Sequence, residues 1–557
     1  MSSDEEQPVG LNRFDDDDHS DDEYYPAHDH HSPGEDEDEA SDSLEVDQDM
    51  EEESEGDDDN DGEGIHSSKG GYRDSKVPLP GGTQLLQSGE FGRIHSFARQ
   101  NPQNLKSFRQ RIYGQRLQTR FSSREQAYTD LLPNTNGTVV ATYNSKAYVG
   151  QFSADSSFYY TCCQDFDLRI YDMTAPITPL NRTTASMHSD HHTSMRLTKT
   201  VHGLGSGWTI TDSHLSPDNS ALLYSSLDST LYMVKTQDPD EEQIQLHLGR
   251  STNNSWYDYR VAVFSCRFSS DGREVIAGGS GGSLFVYDLG KMRRTLGINA
   301  HSDDINSCCW ADTSSGNVLI SASDDTSLKV WDRRSLGSSH IPSGVLIGHT
   351  EGITHVAPKG DGRYVISNGK DQVLRLWDLR KMRSHNDWKG RNSFGHNGFD
   401  YRYPPYPKPR HPSHPLDTSV MRYKGHSVLR TLIRCHFSPI ESTGAAYIYS
   451  GSFDGRIHIW SLDGRVVQVL DRSKTAPITG HPSSADLPKA SSRQFRPCVR
   501  DVSWHTGSPV LMSCAWDGEG ASTVAMHEWK GFGKNAMSLD DVIERDRANA
   551  GYDPLSP

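Results

Sequence analysis

Three segments of this chain repeat serine, histidine and aspartate residues, the types from which many hydrolases build a nucleophile and its base. Each serine lies ten residues before a tryptophan and each aspartate six residues before it, with the histidine further upstream. An enzyme needs one such set in one cleft, whereas recurrence at a fixed spacing is typical of a structural repeat. We therefore predict no catalytic site from the three sets, which are His301, Ser321, Asp325 and Trp331; His349, Ser367, Asp371 and Trp377; and His426, Ser450, Asp454 and Trp460.

The spacing within each set predicts a meander of short antiparallel strands. Apolar runs such as 364–366 and 374–377 would be strands, with the aspartate in the tight turn between them. We expect buried hydrogen bonds to run from the Trp N–H through the Ser hydroxyl and the His ring to the Asp carboxylate, because an unpaired buried polar group costs roughly 1–3 kcal/mol. The sets would then be structural tetrads that hold the blades of a β-propeller together.

Weaker copies of the unit extend the array to seven. Two units end at Tyr171-Asp172 and Tyr287-Asp288, another spans 208–235, and the last spans 499–529. A spare apolar run at 138–142 precedes the first full unit, and it could complete the last blade and remove the open sheet edges. The sequence thus predicts an all-β, seven-bladed WD-repeat propeller over residues 135–535, with an insertion loop at 382–421.

The two ends of the chain differ from this body in composition. Residues 1–64 contain 29 Asp and Glu and one basic residue, a local charge of −28 against −20 for the whole chain. Such a segment buries too little apolar surface to fold. We expect a disordered acidic tail over 1–85, a basic, partly helical segment over 86–134 with a capping box at 122–125 and a helix ending at Leu132, and a flexible tail over 536–557.

Other features of the sequence argue against several classes of function. The eight cysteines form no CxxC pair, and the sequence has neither a signal peptide nor a long apolar run, so we expect free thiols in a soluble protein of the nucleus or cytoplasm. The glycine cluster at 278–282 lacks the lysine and the following helix of a phosphate loop. We expect no catalytic residue, no cofactor, no metal and no membrane contact.

Two adjacent units end in a Trp-Asp-x-Arg box, at 331–334 and at 377–380. The Trp-Asp pair marks the end of a blade, but the fold itself tolerates almost any residue at the last position. Two consecutive blades that end in Arg334 and Arg380 therefore indicate a docking surface. A planar guanidinium is suited to this purpose because it can donate two parallel hydrogen bonds to a partner's carboxylate or carbonyl groups.

The paired boxes resemble those of WD-repeat substrate receptors of cullin-4 RING ubiquitin ligases. The resemblance covers about residues 90–530, and the stretches 360–371, 425–435 and 498–505 are similar to the branch formed by WD repeat-containing protein 23 and its plant and fungal relatives. It implies that the cullin-4 ligase adaptor, damaged-DNA-binding protein one, is bound by Asp332, Arg334, Asp378 and Arg380, helped by segment 86–134. The implied function is a non-catalytic receptor that presents proteins for ubiquitination and proteasomal degradation.

A second class of function stays open, that of a WD-repeat scaffold in a chromatin or ribonucleoprotein complex. The stretch 93–124 alternates basic and aromatic residues, a pattern that suits phosphates or an anionic surface. The paired arginines favour the receptor, because a phosphate-binding scaffold needs no cation at one repeat position in successive blades. We therefore expect no direct nucleic-acid binding, and the sequence does not identify the protein substrate.

Overall fold

The structure is a computed structural model that describes residues 77–91, 131–177, 191–205, 207–237, 242–249, 261–312, 316–337, 340–387, 399–407, 414–478, 497–517 and 520–531. The predicted acidic tail up to residue 76, the basic stretch at 93–124 and the predicted C-terminal tail lie outside these residues. The described residues form antiparallel β-sheets with two short α-helices. The predicted all-β class is confirmed.

Six four-stranded sheets follow one another along the chain, and each is one blade. Blade 1 contains β2 (Ala147–Phe152), β3 (Phe158–Cys163), β4 (Asp167–Asp172) and β6 (Arg196–His202). Blade 2 contains β7 (Ile210–Leu215), β8 (Ala221–Ser226), β9 (Thr230–Lys235) and β10 (Gln243–His247). Blade 3 contains β11 (Val263–Phe268), β12 (Glu274–Gly279), β13 (Ser283–Asp288) and β14 (Arg293–Asn299).

The next three blades contain the strongest repeats. Blade 4 contains β15 (Ile305–Trp310), β16 (Val318–Ser323), β17 (Leu328–Asp332) and β18 (Gly344–Leu346). Blade 5 contains β19 (Ile353–Pro358), β20 (Tyr364–Gly369), β21 (Leu374–Asp378) and β22 (Met421–Tyr423). Blade 6 contains β23 (Cys435–Phe437), β24 (Tyr447–Ser450), β25 (Arg456–Ser461) and β26 (Val466–Asp471), with the helix α2 (Ile440–Thr443) between its first two strands.

Blade 7 joins the two ends of the repeat array. It contains β27 (Cys498–Trp504), β28 (Val510–Trp516), β29 (Ser522–Glu528) and the early strand β1 (Thr138–Tyr143), which lies antiparallel to β29. The short strand β5 (His191–Thr193) extends this sheet beyond β1. The prediction of seven blades, with the run at 138–142 as the closing strand, is confirmed. Because β1 completes the sheet of blade 7, the ring closes and every blade has a neighbouring blade on both sides.

The first strands of the seven blades contact one another around the centre of the propeller, and the apolar core lies between adjacent blades. Strand β20 shows why the sequence forms this arrangement: all six of its residues are buried, because neighbouring blades cover both of its faces. Strands covered on both faces are rich in apolar residues, and the two polar members of β20, Ser367 and Asn368, are hydrogen-bonded. Trp377 is fully buried in the cluster shared by blades 4 and 5.

The strand ends build two faces of the propeller. The lower face carries the ends of the third strands, including Asp332 and Asp378, together with the loops between the first and second strands. The upper face carries the turns between the second and third strands, including Asp371, and the connections between blades, including His349. The part of the insertion that is described touches both neighbours, because Arg383 pairs with Val345 of blade 4 and Arg430 N donates to Tyr401 O at 2.7 Å.

A helix packs against the lower face at a position that differs from the predicted one. Helix α1 (Pro80–Gln87) begins with proline at its first position, where the missing N–H costs nothing. Leu79 N donates to Asp463 O at 2.9 Å, and the apolar residues of the segment pack into the cluster that joins blades 5 and 6. The prediction that a disordered tail extends to residue 85 is therefore wrong for residues 77–85, which contain most of this helix.

The helix predicted to end at Leu132 falls mostly outside the described residues. Leu131 and Leu132 themselves are described, are buried and have no helical conformation. Leu132 packs into the cluster between blades 6 and 7, where the chain leads into β1. The end of the predicted helix is thus wrong, because packing against the propeller and not the local capping pattern determines this backbone.

Candidate functional site

The two Trp-Asp-x-Arg boxes place Arg334 and Arg380 at equivalent positions on the lower face of blades 4 and 5. Each arginine folds back on the aspartate two residues before it. Arg334 donates from Nε and Nη2 to Asp332 at 2.9 and 2.7 Å, and Arg380 donates from Nη2 to Asp378 at 2.8 Å. The two arginine side chains are nonetheless 68% and 57% exposed. Each guanidinium is held in place and still open to a partner.

The surroundings of the two arginines differ because the segment before the propeller supplies a second acid on one side. Glu90 Oε2 lies 3.1 Å from Arg380 Nη2 and 2.5 Å from Arg363 Nη2. Arg363 also contacts Asp378 at 3.2 Å. Burial raises the pKa of Asp378, and Arg363 opposes this effect, whereas the hydrogen bond from Arg334 lowers the pKa of Asp332. The positions are equivalent in the repeat but unequal in charge.

The first two predicted tetrads form, and buried hydrogen bonds connect the four members of each one. In blade 5, Trp377 Nε1 donates to Ser367 Oγ at 2.8 Å, His349 Nε2 lies 2.7 Å from the same oxygen, and His349 Nδ1 lies 3.0 Å from Asp371. Blade 4 repeats the arrangement with 2.9, 2.7 and 2.8 Å in a set formed by His301, Ser321, Asp325 and Trp331. Both serines are fully buried and accept a hydrogen bond from an indole. Neither is an accessible nucleophile.

The third predicted tetrad does not form. Trp460 Nε1 donates to Lys424 O at 3.0 Å, and Ser450 Oγ donates to Arg434 O at 3.1 Å. The remaining members are apart as well: His426 Nε2 lies 2.7 Å from Asn368 Oδ1 of blade 5, and Asp454 lies 3.6 Å from Arg456. The prediction that His426, Ser450, Asp454 and Trp460 share one network is wrong, although each lies at the expected place in its blade.

The cause of this difference is one polar residue in the neighbouring blade. The residue after the serine position of the preceding blade is Gly278 before the first tetrad and Ala322 before the second, and neither has a side-chain hydrogen-bond acceptor. Before the third tetrad this residue is Asn368. Its amide oxygen lies 2.7 Å from His426 Nε2 and so replaces the tetrad serine as the partner of that ring nitrogen. Competition from this amide is invisible in the spacing of a single repeat, because it comes from the adjacent blade.

A network of buried charges crosses the centre of the propeller, and the sequence reasoning did not find it. Arg434 of blade 6 donates to Asp212 of blade 2 at 2.6 Å and to Asp501 of blade 7 at 3.3 Å. Arg267 of blade 3 also binds Asp212, and His436 Nε2 lies 3.3 Å from Asp501. Burial alone would raise the pKa of Asp212, but Arg267 and Arg434 outweigh it and lower that pKa to about 2. The charges therefore persist at neutral pH and link four blades.

A sequence signal for this network exists in retrospect. Asp212, Arg267 and Asp501 are charged residues inside first strands whose other members are mostly apolar or small, and Asp501 follows a second charged residue, Arg500. A charge at such a position needs a partner, because an isolated buried charge is very costly. The first strands of a propeller converge on one axis, so three charges in different first strands predict a meeting at the centre.

The described part of the chain contains no helix long and apolar enough to cross a bilayer.

The fold and its two tetrads define the class of the protein, which is a WD-repeat β-propeller. The WD domain, G-beta repeat, family matches residues 254–288, 290–332, 341–378 and 417–461. These matches fall on blades 3 to 6, and two of them end at Asp332 and Asp378, two residues before Arg334 and Arg380.

The chain is similar over most of its length to two plant proteins. It is 41% identical to LEC14B protein of Lithospermum erythrorhizon over 397 residues, which are 70% of this chain and 74% of the relative. It is 36% identical to the LEC14B homolog of Prunus armeniaca over 419 residues, 74% of this chain and 78% of the relative. The chain belongs to the WD-repeat family of these LEC14B proteins.

A third relative carries a more informative name. The DDB1- and CUL4-associated factor 11 homolog of Caenorhabditis elegans is 34% identical over 315 residues, which are 56% of this chain and 51% of that protein. The family resemblance predicted from the paired boxes is thereby confirmed.

Proposed function

We propose that this protein is a non-catalytic substrate receptor of a cullin-4 RING ubiquitin ligase. Its lower face would bind the ligase adaptor, damaged-DNA-binding protein one, through Arg334, Arg380 and the aspartates that hold them. Another surface of the propeller would bind a protein substrate and present it for ubiquitination and proteasomal degradation. The nucleus or cytoplasm is the compartment in which such a complex works.

The observation that carries this proposal is the pair of exposed arginines at one repeat position in adjacent blades. Asp332 and Asp378 orient the two guanidinium groups, so little side-chain freedom is left to lose on binding. Because more than half of each side chain is exposed, the fold does not need the cations for its own core. The name of the Caenorhabditis relative points to the same partners for that protein.

Co-purification of the adaptor with a double variant tests the proposal. We expect Arg334→Ala combined with Arg380→Ala to keep the wild-type circular dichroism and melting temperature and to lose the adaptor and cullin-4. Loss of an interface arginine typically costs roughly 2–4 kcal/mol, so two losses reduce adaptor recovery at least a hundredfold. Substrate binding by the same variant is expected to persist.

Arg196→Ala is the matched control. Its side chain is 70% exposed and lies 3.6 Å from Asp172, which is the equivalent of Asp332 in blade 1. We expect this variant to recover the adaptor like wild type. Unchanged recovery with the double variant contradicts the proposal, as does loss of adaptor together with loss of folding. Recovery of histones or ribonucleoproteins in place of ligase subunits would favour the scaffold function.

A further inference from the structure

Two indole rings flank a lysine ammonium on the upper face, away from the Trp-Asp-x-Arg boxes, and a tyrosine ring packs against both indoles. The rings are Tyr148 of blade 1, Trp208 in the connection into blade 2, and Trp516 at the end of the second strand of blade 7. The lysine is Lys146, two residues before the tyrosine. We call this group the aromatic cage.

The geometry of the aromatic cage is that of a cation site. Lys146 Nζ lies 5.8 Å from the ring centroid of Trp208 and 5.6 Å from that of Trp516. The Tyr148 ring stands steeply to both indoles, at 79° and a centroid distance of 5.7 Å from Trp208, and at 63° and 4.9 Å from Trp516. A cation within about 6 Å of a ring centroid is attracted by the negative face of the ring, and here two indoles act on the same ammonium.

Two walls of the aromatic cage are buried, and the third is partly exposed. Trp516 is 6% exposed, and its Nε1 donates to Ala147 O at 2.7 Å. Tyr148 is 5% exposed, and the Arg500 guanidinium carbon lies 4.7 Å from its ring centroid. Trp208 is half-buried and partly faces solvent. The site is thus largely preformed, which reduces the cost of binding a ligand.

We propose that the aromatic cage binds the methylated ammonium group of a partner protein, such as a trimethyllysine side chain, and that Lys146 occupies the cage until this ligand displaces it. A primary ammonium is compact and strongly hydrated, so it loses much of its solvation among rings. A trimethylammonium group spreads its charge over methyl groups, is weakly hydrated and fills more of the space between the rings. This difference lets the ligand compete with a tethered lysine. The site does not require that the lower face bind a ligase adaptor.

Fluorine NMR of the full-length protein labelled with 5-fluorotryptophan tests this proposal. The probes are tetramethylammonium, Nα-acetyl-trimethyllysine amide, and the neutral analogue of the latter with a tert-butyl group in place of trimethylammonium. We expect both cationic probes to shift the Trp208 and Trp516 resonances and the neutral analogue to bind at least tenfold more weakly. Lys146→Ala, which empties the cage, should tighten binding of the cationic probes about tenfold.

Two further variants complete the design. Trp208→Ala removes the half-buried wall and is expected to weaken probe binding at least tenfold in both the wild-type and the Lys146→Ala background. Lys370→Ala is the matched control, because Lys370 Nζ lies 4.1 Å from the single ring of Tyr401, and we expect its affinities to equal those of wild type. Absence of shifts in Lys146→Ala, equal binding of the neutral analogue, or equal affinity of wild type and Lys146→Ala would overturn the proposal.

Discussion

At the scale of the residue, Asp371 shows how one buried carboxylate can bind several polar groups of the same blade. It is fully buried, accepts from His349 Nδ1 at 3.0 Å and from the Thr350 N–H at 3.3 Å, and lies 3.5 Å from Arg375. Burial would raise its pKa, but His349 and Arg375 outweigh burial and lower the pKa to about 2. The carboxylate is therefore charged at neutral pH. Its removal leaves the buried His349 ring without this acceptor and the Arg375 guanidinium with Asp417 as its remaining acid partner.

We expect Asp371→Ala to lower the free energy of unfolding by about 3 kcal/mol, since breaking a buried charged network from one side is among the costliest substitutions. Asp454 provides the comparison, because it occupies the same repeat position but makes only a looser contact with Arg456. Asp454→Ala should cost less than about 1 kcal/mol. Urea unfolding of both variants measures the difference, and equal costs would contradict the role assigned to the tetrad of blade 5.

These residues also show which structural features the spacing within a repeat can predict and which it cannot. The positions of all twelve predicted tetrad residues follow from the repeat, and so do the ends of the third strands that carry the two arginines. The partners of His426 do not, because Asn368 approaches from the next blade. Nor does the approach of Glu90 to Arg380, which depends on contacts between residues 290 positions apart.

At the scale of the element, the segment 77–91 packs on the propeller through the buried side chain of Phe91. Phe91 is 1% exposed, its ring centroid lies 4.8 Å from that of Tyr364, and Lys359 Nζ lies 4.0 Å from its centroid. The helix itself contains two glycines and a single apolar pair, so its own tendency to form is small. Strand β1 was predictable because its residues are strand formers; α1 was not, since packing against the propeller creates it.

Replacement of Phe91 by alanine is expected to release the segment and leave the propeller folded. The loss of the buried ring costs about 3 kcal/mol locally, more than an eight-residue helix can supply by itself. Amide hydrogen exchange should increase at least tenfold across residues 79–91, while exchange in blades 2 and 3 stays unchanged. Leu79→Ala, at a residue that is 38% exposed, is the control with a smaller effect. Unchanged exchange in Phe91→Ala would show that other contacts hold the segment.

At the scale of the whole molecule, buried histidines and the central charges set the response to pH. Burial lowers the pKa of His214 to about 3, helped by Arg267, and burial with His436 and Arg434 lowers the pKa of His355 well below its usual value. Both rings stay neutral in the folded state at pH 5.5, whereas the unfolded chain protonates them at about pH 6.5. The unfolded state therefore binds more protons, and acid favours unfolding.

We expect the free energy of unfolding to fall as the pH decreases from 7 to 5, by about 1.4 kcal/mol per pH unit below 6.5 for each such histidine. Asp212 contributes in a lower window, since its lowered pKa confines its loss of stabilisation to below about pH 4. His355→Gln should reduce the slope between pH 6.5 and 5 by one proton. Parallel slopes for His355→Gln and wild type would contradict this assignment.

The closing strand has a consequence for how the protein is made. A ribosome synthesises Thr138 of β1 long before its partner Met526 of β29, and 388 residues separate the two. Until β29 emerges, β1 lacks its partner in blade 7, so the backbone groups along that edge of β1 stay unpaired and open to wrong pairing. A truncated messenger RNA that ends after blade 6 would thus yield a chain with six formed sheets and a gap in the ring where blade 7 should lie. Cellular quality control should degrade this product far faster than the complete chain, even though only one-seventh of the propeller is incomplete.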